Sequence, residues 1–223
     1  MDHQPGSSIH AKKKRRDWLI ALAKKHSEMV LGYQDETWWS RVTQPRLNAW
    51  TEEGAALHLV EQTVTKDDPD PKALACYGLL VSCPAAQDTF PEQVWLRFVD
   101  GHPVSDITNQ YLAWCCDRLV RAEKKTLLMI WDNASWHVSR KARDWIRTHN
   151  REVKKQGQGV RIIAFFLPVK SPWLNAIEPH WVHGKRDVVE PAGLLSAQQL
   201  AERACAYFGC SHEPHLTITE KVA

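Results

Sequence analysis

Three acidic residues in this chain are placed where metal-assisted chemistry needs them. Asp35 ends an apolar run that begins at Met29, and Asp132 follows the dense apolar run Thr126 to Trp131. Glu178 stands in the first turn of an expected helix. A carboxylate at the end of a strand can point into the crevice where open α/β sheets bind ligands. Acids gathered from distant parts of a chain repel one another, and a cation between them removes that repulsion. Hard oxygen ligands suit magnesium or manganese. Two such ions can clamp the attacking and leaving oxygens of an in-line phosphoryl displacement. Each acid also has a plainer reading. An acid at a strand end is a common turn former. Asn175 to Glu178 has the spacing of a capping box, with Asn in place of Ser or Thr. Asp35 is followed by Glu36, and on a strand the two face opposite ways, so one of them enters the site.

The elements that position these acids follow from periodicity. Residues 1 to 10, with Pro5, Gly6, Ser7 and Ser8 together, read as a loose start. A helical face formed by Trp18, Leu19, Leu22 and Ala23 predicts a helix from Asp17 to about Glu28. Met29 to Asp35 reads as a short buried strand. Two further strands are expected over Ala55 to Thr65 and Ala73 to Ser82, separated by a turn at Lys66 to Lys72. Trp95 to Val99 is a further short strand candidate. Helix, strand, helix, strand and helix then follow over Asp106 to Lys124, Thr126 to Trp131, Ser139 to Lys155, Val160 to Val169 and from Asn175. A last helix, Ser196 to Phe208, is capped by Ser196. A three-strand meander followed by alternating helices and strands implies a mixed α/β sheet covered by helices.

Composition bounds the rest. The chain has 223 residues, 43% hydrophobic and 25% charged, which suits a globular domain with one extra segment. The net charge is only +3, yet Lys12 to Arg16 form one basic run. Arg140 to Arg161 form another, with eight basic residues against Asp144 and Glu152. Such clustering suits a polyanion or a solvated helix face. The six cysteines form no CxxC pair, so no zinc-finger spacing is present and reduced thiols are expected. No apolar run approaches the ~20 residues of a membrane span.

Three blocks carry a resemblance: Leu31 to Trp39, with Gln34-Asp35-Glu36-Thr37; Met129 to His137, with Asp132-Asn133-Ala134-Ser135-Trp136-His137; and Leu167 to Glu178, with Ser171-Pro172-Trp173-Leu174-Asn175-Ala176-Ile177-Glu178. In that order they resemble the DDE transposases of the mariner superfamily, in the bacterial insertion-sequence branch, over about residues 17–208. The resemblance implies an RNase H-like fold, with residues 29–208 as the catalytic domain. Residues 1–28 would be a basic segment and linker helix, and 209–223 a tail. It implies that Asp35, Asp132 and Glu178 form the metal-binding triad, holding two Mg2+ (or Mn2+) ions. The activity implied is cleavage of DNA at transposon ends and transfer of the freed 3′-hydroxyl into target DNA. The partners implied are DNA and further copies of the chain in a homo-oligomer, and the setting is the bacterial cytoplasm, at the nucleoid when bound to DNA. The block departs from the family pattern at Ala176, where proline is usual, and at Pro179 and His180. The separation of Asp132 and Glu178 is longer than usual, with an extension around Arg151 to Gly159. About 28 residues precede the first strand, too few for the helix-turn-helix modules of full-length relatives. The expectation is a truncated copy, a split-frame product or a fragment that uses a separate recognition module. The alternative is a non-catalytic DNA-binding relic or subunit.

Several neighbours of the acids are DNA-contact candidates. Asn133 orients a ligand or forms an Asx turn. His137 contacts the DNA backbone or packs at a helix start. Lys170 and Ser171 reach phosphate from their loop. Trp173 stacks on an extruded base or packs in the core. Lys185 and Arg186 lie two helical turns beyond Glu178 and contact phosphate or face solvent.

Overall fold

A computed structural model describes residues 5–42, 64–86, 88–188 and 193–218. Helix α1 (Pro5–Ala23) leads into strands β1 (Met29–Ser40), β2 (Ala73–Ser82) and β3 (Gln93–Val99). These are followed by α2 (Ser105–Arg121), β4 (Thr126–Trp131), α3 (Arg140–Gln156) and β5 (Arg161–Phe166). A single 3-10 turn, Pro172–Leu174, precedes α4 (Glu178–Asp187) and α5 (Ala197–Tyr207). The five strands form one sheet in the order β3-β2-β1-β4-β5. β1, β2 and β3 pair antiparallel, whereas β4 runs parallel to both β1 and β5. This is the mixed sheet expected of an RNase H-like fold.

Alternation along the strands builds two faces. Val30, Tyr77, Leu79, Met129 and Trp131 point to one side, where α2 and α3 cover them with Ile107, Tyr111, Leu112 and Ile146. On the other side, Leu31, Leu128 and Ile130 meet Leu19 and Ala23 of α1. Trp39, Leu74 and Leu96, on that same side, meet Trp181 of α4 and Leu200 and Ala204 of α5. Ser139 starts α3 by accepting the amide of Ala142, and Gly157 ends it at φ 68°. The Asn150 side chain of α3 donates to Ile162 O and accepts from Ile162 N, both at 2.8 Å. At the opposite edge Leu216 bridges to Val99 of β3.

Several expectations change. The meander exists, but its third strand is β3. The strand expected over Ala55 to Thr65 lies almost wholly outside the described residues. β1 runs on to Ser40, so Asp35 sits inside a strand rather than at its end, because β2 pairs with it from Leu31 through Ser40. α1 starts at Pro5 instead of Asp17 and stops at Ala23. Proline suits the first turn of a helix, where its missing N–H is not needed. α4 starts at Glu178 rather than Asn175. Thr126–Trp131 coincides with its expected strand. The expected Ser196 cap is present, and the structure adds Gln199 as its reciprocal partner in a capping box.

Candidate active site

β1 and β4 are parallel and paired up to Tyr33 and Ile130. Continuing that register makes Asp35 and Asp132 neighbours just beyond the paired stretch. In parallel strands such neighbours share a face, here the one covered by α4. Asp35 pairs across the sheet with Gly78 of β2. The missing side chain of Gly78 leaves room for the Trp181 ring, since a Cβ there would lie 2.1 Å from its nearest ring carbon. Trp181 Nε1 donates to Asp35 Oδ2 at 2.9 Å. α4 is therefore docked onto β1 by the indole that also holds the first acid.

Glu178 begins α4 three residues before Trp181. Asn175 does not cap it with its side chain, so the capping-box reading fails. The Asn175 amide instead donates to Gln34 O at 3.0 Å, tying the start of α4 to β1. Asp132 and Glu178 line one cleft of about 280 Å³ with Asn133, Lys170, Ser171 and Asn175.

The electrostatics show that the acids feel one another. Burial first, then the Glu36 and Glu178 carboxylates, push Asp35 up to about 7. Burial and the Asp132 carboxylate raise Glu178, and the Lys185 ammonium partly offsets them. Lys185 is exposed at its surface side, yet partial desolvation of its ammonium lowers it, against the pull of Asp35 and Glu178. Asp132 behaves differently. Burial would raise it, but hydrogen bonds from His137 and the Ala134 amide bring it below the usual carboxylate range.

Glu36 lies on the opposite face from Asp35, as alternation requires. Its Oε1 lies 2.9 Å from His137 Nε2, and His137 Nδ1 lies 2.7 Å from Asp132 Oδ1. His137 is fully buried and stacked on Trp131, with ring centroids 4.5 Å apart. Burial works against its charge, yet the Glu36 and Asp132 carboxylates outweigh that and hold it at about 9.

The other candidates fall in different places. His137 is sealed from solvent, out of reach of a DNA phosphate. Asn133 donates to Leu167 O at 2.7 Å, joining the two loops that flank the cleft. The Asx turn here belongs to Asp132, whose Oδ1 accepts the Ala134 amide at 2.9 Å. Ser171 is buried, with its hydroxyl near Val169 O, and Lys170 lines the cleft at a left-handed φ of 58°. Trp173 is 71% exposed, so core packing is not its role. Lys185 and Arg186 are exposed on α4. Two residues of the first basic run turn inward: Lys12 Nζ bonds Leu167 O and Arg16 bonds Leu174 O. Sequence reasoning missed Trp181 and the part played by Glu36. The three-residue step from Glu178 to Trp181 was the available signal, since it places both on one side of a helix.

Hard-oxygen chemistry fits this donor set. Asp132 and Glu178 share a cleft with Asn175, whose buried Oδ1 has no hydrogen-bond partner among the described residues. Among the described residues no three His, Cys, Asp or Glu side chains form a ready metal-binding group.

Residues 98–200 match the family model of the DDE superfamily endonucleases. The match includes Asp132 and Glu178 but not Asp35. No protein of curated function matches the chain in sequence. Among solved structures the chain is similar to the Mos1 strand transfer complex, with TM-score 0.59 and 14% identity over 95% of this chain and 56% of that one. The Mos1 mariner paired end complex with Mn gives 0.60 and 15% over 94% and 56%. The catalytic domain of Mos1 mariner transposase gives 0.53 and 14% over 94% and 85%. The chain thus spans a little over half the length of the first two Mos1 chains. These likenesses show the fold. Among the described residues no helix is long and apolar enough to cross a membrane.

Proposed function

We propose that this chain is the catalytic part of a transposase of the mariner superfamily, in the bacterial insertion-sequence branch. In this reading residues 29–208 are the catalytic domain, and Asp35, Asp132 and Glu178 hold two Mg2+ or Mn2+ ions. The observation that carries the reading is geometric: Asp132 and Glu178 line one cleft, and the β1–β4 register sets Asp35 beside Asp132, within a fold shared with a transposase. Bound cations would activate the attacking oxygen and stabilise the leaving oxygen of a DNA phosphodiester.

The chain's own residues position the reactants. Trp181 orients the Asp35 carboxylate, and Asn175 fixes the helix that carries Glu178. Lys170 lines the cleft beside the acids, and Lys185 and Arg186 stand further along α4, where cationic side chains meet phosphates. Trp173 presents an exposed ring beside the cleft, suited to stacking on an unpaired base. In this reading the chain works on DNA as an oligomer, at the bacterial nucleoid.

The decisive experiment is Mg2+-dependent nicking of a DNA duplex taken from the end of the element that carries this gene. Asp132→Asn removes the nicking, while wild-type protein nicks and then joins the freed 3′-hydroxyl to a second duplex. Nicking retained in Asp132→Asn would overturn the assignment. Wild-type protein that binds this duplex without nicking it would favour the non-catalytic alternative.

A further inference from the structure

Glu36 takes no part in the proposed metal chemistry, yet it is buried behind the site with its side chain 7% exposed. A carboxylate so placed is costly unless hydrogen bonds and an opposite charge hold it. Its Oε1 receives Gln34 Nε2 at 2.8 Å and faces His137 Nε2 at 2.9 Å. The second ring nitrogen of His137 lies 2.7 Å from Asp132 Oδ1. An ionised carboxylate only accepts, so both ring nitrogens act as donors in this bridge. The ring plane is fixed by stacking on Trp131 at an interplanar angle of 17° and by the edge contact with Trp136. Asp132 Oδ1 also takes the Ala134 amide, so this oxygen is fully engaged. Among the described residues Oδ2 receives no hydrogen bond, and the Asp132 side chain is half exposed toward the cleft.

We infer that Glu36 is a positioning residue for Asp132. Acting through the His137 ring, it locks Oδ1 in place so that Oδ2 is presented to a divalent cation. This rests on the reading of Asp132 as a metal-binding acid. Partners that orient a ligating carboxylate set its metal affinity, and losing one costs about 10–100-fold. Glu36 differs from a simple interior ion pair in that its reach to His137, rather than its charge, sets the position of Asp132.

Two variants separate reach from charge. Glu36→Gln keeps the length needed to hydrogen-bond His137 and loses the charge. Glu36→Asp keeps the charge and falls one methylene short. Mn2+ binding to the full chain is measured by the electron paramagnetic resonance signal of free Mn2+, with melting curves taken alongside. The expected result is Mn2+ affinity within a few-fold of wild type for Glu36→Gln and a loss of about 10–100-fold for Glu36→Asp. Wild-type affinity in Glu36→Asp, or a larger loss in Glu36→Gln than in Glu36→Asp, overturns the inference. Asp132→Asn is the control. If it binds Mn2+ as wild type does, the metal reading itself fails, whatever the Glu36 variants do. Where a variant melts below the assay temperature, the comparison is made below its transition, so that folding and positioning are read separately.

Discussion

Two ionisable side chains, one on each face of the sheet, make stability depend on pH in the same direction. Asp35 is raised from 3.8 to about 7 by burial and its acidic neighbours, so the folded state holds a proton that the unfolded chain releases. That contribution is present below the unfolded value and is lost as pH rises through about 7. His137 is raised from 6.5 to about 9, so its contribution is present below about 6.5 and is lost as pH rises through about 9. The metal-free protein is therefore expected to melt at lower temperature as pH climbs from about 5 to about 9. Asp35→Asn flattens the lower part of that slope and His137→Gln the upper part, as melting curves at several pH values will show. In the proposed site a bound cation would take the place of the Asp35 proton. Added Mn2+ should thus stabilise the protein above pH ~7 and progressively less below it, because only the folded state offers the site.

At the scale of elements, the fit of α4 against the sheet is the most sensitive joint. Gly78→Ala would place a Cβ 2.1 Å and 2.5 Å from two ring carbons of Trp181. Overpacking of that kind costs about 1–3 kcal/mol. For a domain of this size that is a fall of about 2–12 °C in melting temperature, which calorimetry will resolve. The same shift loosens the indole bond to Asp35, so metal affinity should fall together with stability. How far such joints can be read from sequence differs from element to element. β4 and α5 were legible because a dense apolar run and a serine cap are local signals. The full length of β1 was not, since Asp35 and Glu36 look like a strand end. Only pairing with β2, a tertiary fact, carries the strand on to Ser40. The triad was legible through its three blocks. The support for Asp132 was half legible, because His137 lies in the same loop. Its other half was not, because Glu36 is 101 positions away from His137.

On the scale of the whole molecule, both borders of the five-stranded sheet are occupied. At β3, Leu216 N donates to Phe98 O and Asp100 N donates to Leu216 O. At β5, one side-chain amide from α3 satisfies both the N–H and the C=O of Ile162, and His149 Nε2 meets Val160 O at 2.8 Å. A bare strand border is a template on which a stray chain can add itself and aggregate. Asn150→Ala would leave two backbone groups of Ile162 without their partner, at a cost of about 1–3 kcal/mol. The variant is expected to scatter light at lower temperature and lower protein concentration than wild type. With Asn150 in place the β5 border offers Ile162 to no second copy of the sheet, so protein concentrated on a surface or polymer should stay dispersed where Asn150→Ala does not.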